Sequence, residues 1–266
     1  MKKLIIGAAV LAAGVALADS GIVSSDIVGY NTKTVTTANY QEMVGASFNS
    51  VGAEALDIQD ITLVGDNANG TAWIKWWDPE TKTYSQRAWY VANFYDPDTD
   101  EDLDYGGWGD DDWAPITKTF APGEGFWFSP NKASVGITIA GSVEQTANQY
   151  VGRTVAKANQ QIMVINAFPT ALNIQDIVLD NDNAEGGSWI KWWDSATKKY
   201  SDRAWYVANF YDPDTDEDLD YGGWGDDDWA PLTKTFAAGD GFWFSPNKDN
   251  VTICFPNPFY KATDGE

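Results

Sequence analysis

Beyond residue 20 the chain reads as short apolar and β-branched runs broken by turn residues. Val28 to Val35 is rich in β-branched side chains, and Ile58 to Val64 and Thr71 to Trp77 follow, with Gly65 to Gly70 as the loop between them. Asp78 to Lys82 links Trp77 to the run Tyr84 to Tyr95, which predicts a hairpin. Gly123-Glu124-Gly125 introduces Phe126-Trp127-Phe128, and Val135 to Ala140 closes the pattern. After the N-terminal apolar segment no window sustains a 3.6-residue period. The expectation is therefore an all-β protein of antiparallel, sandwich-like or barrel-like units.

The pattern occurs twice. Trp73-Ile74-Lys75-Trp76-Trp77-Asp78 returns as Trp189-Ile190-Lys191-Trp192-Trp193-Asp194, and Arg87 to Pro115 recurs unchanged at Arg203 to Pro231. Differences such as Pro79/Ser195, Pro122/Ala238 and Glu124/Asp240 are few. The second copy is shorter between Phe168 and Asn173, where the offset changes from 120 at Met43/Met163 to 116. The small, polar stretch from Gly141 to Gln149 reads as a linker, which predicts tandem domains at 19–144 and 145–266.

Residues 1–18 have the order of a secretory signal peptide: Lys2 and Lys3, an apolar run from Leu4 to Val15, then Ala16-Leu17-Ala18. Export is thus expected, with Asp19 as the first mature residue and an extracellular, cell-surface or periplasmic destination. No later run approaches the roughly 20 apolar residues of a membrane-spanning helix. Histidine is absent and Cys254 is the single cysteine. Ser-His-Asp and Cys-His catalysis, histidine ligation of zinc and an internal disulfide are excluded together. The net charge of −22 disfavours nucleic acid and anionic membrane, and favours cations or surfaces that present them.

The Ser25 to Tyr30 stretch, the motif Pro122 to Phe128 with its counterpart Ala238 to Phe244, and the closing Val251 to Pro258 resemble a family of secreted tandem-repeat β-proteins of diderm bacteria. The resemblance implies export and duplication. It implies no activity, and the acidic tract lies outside it.

That tract, Phe94 to Trp113, holds nine carboxylates and no basic residue. Asp96, Asp98, Asp100, Asp102 and Asp104 alternate, and Asp110, Asp111 and Asp112 follow. Copy two repeats them as Asp212, Asp214, Asp216, Asp218, Asp220, Asp226, Asp227 and Asp228. Hard oxygens at such density suit calcium, which accepts about 6–8 oxygen ligands with tolerant geometry. An EF-hand is excluded, because Glu101 falls where the turn glycine belongs and Gly107 where the bidentate glutamate belongs. The bland alternative is a solvated acidic loop. Tyr95, Tyr105, Trp108 and Trp113 favour metal-driven order instead, since disordered acidic tracts are poor in aromatics.

Fourteen tryptophans are the second unusual feature. Alternation in the strand puts Trp73 and Trp77 on one face and Trp76 on the other, so one set fills a core. Trp73, Trp77, Trp108 and Trp113, with Trp189, Trp193, Trp224 and Trp229, are candidates for a partner or ligand surface. Alternatively they fill two cores and the seam between them. Arg87 and its equivalent Arg203 are expected to pair with an acid or stack on an indole.

These readings predict a non-enzymatic, secreted, calcium-binding structural protein that self-associates or adheres, duplication supplying avidity. Strand edges at Ile22 to Val35 and the tail Phe255 to Tyr260 are candidate contacts. The alternative is a carbohydrate-binding module, with a cell-surface glycan as partner, that uses aromatic platforms and calcium. A glycoside hydrolase built on Asp78 or Glu124 ranks below both, since copy two has Asp240 in place of Glu124.

Overall fold

The computed structural model describes residues 28–66, 69–96, 98–144, 146, 148–212 and 214–260. The leader assigned to 1–18, the start of the Ser25 to Tyr30 stretch and parts of the 65–70 loop and the 141–149 linker lie outside them.

The described chain is all-β, and its sheet pairings are antiparallel. Strand Val28–Val35 pairs with Val135–Ser142, which pairs in turn with Ile61–Val64, giving a three-stranded sheet. A six-stranded sheet is built around Asn69–Asp78, which lies between Gly125–Ser129 and Ala88–Val91. Glu42–Gly45 and Gly107–Gly109 form the ends of its main path. Copy two repeats both sheets, with Tyr150–Val155, Val251–Pro256 and Val178–Asp180 in one and Glu185–Asp194 central to the other.

Two predicted runs are interrupted. Ile58 to Val64 opens with a 3-10 turn over Ile58–Asp60, because the Asp57 side chain accepts from Gln59 N and caps it before the strand starts at Ile61. Tyr84 to Tyr95 divides into Thr83–Tyr84 and Ala88–Val91, both paired to Asn69–Asp78, with a register shift between Asn69 and Trp73.

Period-two alternation gives each six-stranded sheet two apolar faces. Val44, Ile74, Phe126 and Phe128 point into a cluster with Val35, Ile137 and Ile139 of the neighbouring three-stranded sheet. Met43, Trp73 and Trp127 point the other way and meet Met163, Trp189 and Trp243 of copy two. Each three-stranded sheet also reaches the turn that leads into Gly125–Ser129 or Gly241–Ser245 of the opposite copy. Lys33 reaches Asp240, and Arg153 and Phe255 reach Glu124 and Gly123. The four main sheets thus follow one another in a small propeller-like ring, and the first apolar cluster runs through both copies.

Candidate functional site: twin acidic hairpins

The acidic tract folds as a tight hairpin in which Tyr95–Asp96 pairs with Glu101–Asp102. Its order has local sources. Asp96 Oδ1 accepts from Asp98 N at 2.9 Å and Asp96 O from Asp100 N at 2.9 Å. Asp100 takes the left-handed conformation at φ 60°, which a short polar side chain tolerates. Tyr95 Oη donates to Asp100 Oδ1 at 2.6 Å, and that hydrogen bond raises the Tyr95 pKa by favouring the neutral phenol. Asp110 Oδ1 receives Asp112 N and Ala114 N, and Asp111 Oδ1 receives Trp89 Nε1 at 2.7 Å. Copy two reproduces each contact, including Tyr211 to Asp216 at 2.5 Å and Trp205 to Asp227 at 2.7 Å.

The base of the hairpin is fixed from below. Trp108 is fully buried and donates to Ile61 O at 2.7 Å, as Trp224 does to Ile177 O at 2.8 Å. Gly106 and Gly107 permit this, because a Cβ on Gly106 would stand 2.1 Å from Val91 O and one on Gly107 2.3 Å from Gln59 Oε1. Gln59 binds the returning strand through three hydrogen bonds: Nε2 to Trp108 O and Ile116 O, and Oε1 from Trp108 N. Gln175 repeats them. Sequence reasoning missed these two glutamines, whose one signal was an Ile-Gln-Asp triplet common to both copies.

The alternating aspartates lie around a turn. The chain reverses between Asp96 and Glu101, so that Asp98, Asp100 and Asp102 are exposed around the turn and Asp104 is exposed beyond it. Asp212, Asp214, Asp216, Asp218 and Asp220 repeat that path. Among the described residues no group of three or more acidic, histidine or cysteine side chains comes together to hold a metal ion. What the arrangement offers is a dense negative surface. Two carboxylates about 4 Å apart in water repel by about 1 kcal/mol, comparable with the net worth of one hydrogen bond, also about 1 kcal/mol.

No family model, curated protein or solved structure matches this chain. The functional reading thus rests on its own residues.

The candidate tryptophans divide three ways. Trp108 and Trp224 are core, and Trp73 and Trp189 are buried in the cluster between the copies, so none of the four offers a free surface. Trp77 and Trp193 are half-buried at the same seam, where Trp77 meets Trp243 edge to face at 5.5 Å and Trp127 meets Trp193 at 5.8 Å. Trp113 and Trp229 stand beside the hairpins, 49% and 45% exposed, each with positive φ. Arg87 stacks on Trp73 and Trp89, and Arg203 on Trp189 and Trp205.

Asp78 and Glu124 hold structure together. Asp78 Oδ1 accepts from Glu80 N and Thr81 N, which lowers its pKa. Glu124 caps its own turn through Ala121 N while Lys118 and Arg153 ion-pair with it. Asp240 likewise caps Ala237 N and pairs with Lys33 of copy one. Glu124 and Asp240 therefore each clasp the first strand of the opposite copy.

Proposed function

We propose that this is an exported, non-catalytic structural protein whose twin acidic hairpins draw divalent cations, calcium first, and cation-bearing surfaces against a stiff aromatic scaffold. The observation that carries the reading is the repeated hairpin. Nine carboxylates per copy, most of them exposed, rise from a base of Trp108 and Gln59, or Trp224 and Gln175, too heavily bonded to be a passive linker. Calcium in this reading is a counter-ion shared over the hairpin surface.

The leader-like residues 1–18 support export, and the duplicated sequence supports two homologous units meeting near residue 145. Open edges support self-association. Among the described residues Val28–Val35 pairs along one side alone, and Val28 and Tyr30 are 62% and 71% exposed. Phe259 and Tyr260 add exposed aromatics near the other end.

The test is a calcium titration of the mature chain that follows melting temperature and particle size together. Both are expected to rise with calcium and to fall back with chelator. Unchanged melting and a constant monomer would overturn the proposal.

A further inference from the structure

The seam between the copies differs at its two ends. At one end Gln160 Nε2 donates to Pro79 O and Trp77 Nε1 to Gln161 O, both at 2.9 Å. At the other end Tyr40 stands where copy two has Gln160, and Ser195 where copy one has Pro79. A cleft of about 340 Å³ opens there, lined by both copies. That is the size range of small-molecule sites.

Its chemistry is unlike the rest of the molecule. The chain has 39 acidic residues against 17 basic ones, yet no carboxylate lines the cleft and two lysines do. Lys75 Nζ lies 4.3 Å from the ring centre of Tyr84, and Lys198 Nζ 4.1 Å from that of Tyr40. Neither ammonium has a salt-bridge partner among the described residues. Burial, and then the nearby Arg87, lower the Lys75 pKa, so an incoming anion would relieve an uncompensated charge. Trp193 and Tyr200, set edge to face at 5.2 Å, supply aromatic groups, with Gln41 and Ser195 as amide and hydroxyl groups beside them.

We propose that this cleft binds an acidic saccharide, a pyranose bearing a carboxylate, its ring against Trp193 and Tyr200 and its carboxylate on Lys75 and Lys198. Aromatic faces take the apolar face of a sugar ring, amide and hydroxyl groups take its hydroxyls, and charge-assisted bonds from ammonium groups select the acid. The site is separate from the acidic hairpins and does not depend on their binding cations.

The test titrates the full mature chain with trigalacturonic acid and with the neutral galactose trimer, in chelator, following tryptophan fluorescence and heat. The acidic trimer is expected to saturate the signal, with the neutral trimer at least about tenfold weaker, as loss of one charge-assisted bond implies. Lys198→Gln, in an exposed turn, is expected to weaken the acidic trimer by about tenfold. An Asp98→Asn/Asp102→Asn variant should bind it unchanged. Equal binding of the two trimers, an unaffected Lys198→Gln variant, or no saturation would each overturn the proposal.

Discussion

Gln59 anchors the base of the acidic hairpin from outside it. Its amide is the partner of Trp108 N and Ile116 O and shares Trp108 O with Ile116 N, all at the point where the hairpin joins the six-stranded sheet. Removing one partner from such groups costs about 1–3 kcal/mol for each donor or acceptor left buried and unpaired. Gln59→Ala is therefore expected to lower stability in urea by at least about 1–3 kcal/mol, with faster hydrogen exchange at the Trp108 amide. Gln175→Ala should match it. A variant with unchanged stability and exchange would mean the hairpin does not need this anchor. The residue was illegible from sequence because a lone glutamine after Ile58 has no pattern. Its importance follows from partners about fifty residues away.

At the scale of the element, charge spacing identified the acidic segment but not the path of its backbone. Alternation of Asp96, Asp98, Asp100, Asp102 and Asp104 suggested oxygens wrapping an ion. The left-handed Asp100 and the Asp96 turn fold the segment back on itself. Strand positions were largely legible, Val28–Val35 among them, because β-branched runs bounded by turn residues are a local signal. The hairpin also has a pH signature. The bond to Asp100 raises the Tyr95 pKa above its ordinary value of about 10, and Tyr211 behaves alike with Asp216. Since the folded pKa is the higher one, the stabilisation is complete below the unfolded pKa and is lost as pH rises through the folded value. Tyr84 and Tyr200 also titrate late, burial being the main cause. Ultraviolet titration of the Tyr95→Phe/Tyr211→Phe variant should therefore show two fewer late phenols than the parent. An unchanged late population would contradict the Tyr95–Asp100 bond.

At the scale of the molecule, duplication was plain in the sequence, but the way the copies join was not. A period-two pattern tells which tryptophans share a face, and cannot tell whether that face meets water, a ligand or the other copy. Eight indoles, among them Trp73, Trp77, Trp127 and their equivalents, gather at the seam, where edge-to-face pairs add about 0.5–1.5 kcal/mol each beyond burial. The Glu124–Arg153 and Asp240–Lys33 pairs clasp it from both sides. The copies are thus expected to unfold together, in a single calorimetric transition. Trp127→Ala should lower that transition as a whole, by about 3–5 kcal/mol. Two separate transitions, one of them untouched by Trp127→Ala, would mean that the copies stand alone.

Binding of calcium by the hairpins, read at low and at high ionic strength, tests the account most directly. Shared counter-ions predict several weak sites per chain, lost in high salt and lost when Asp98, Asp102, Asp214 and Asp218 are changed to Asn. A tight, stoichiometric, salt-insensitive site, or no uptake by the unaltered chain, would contradict it.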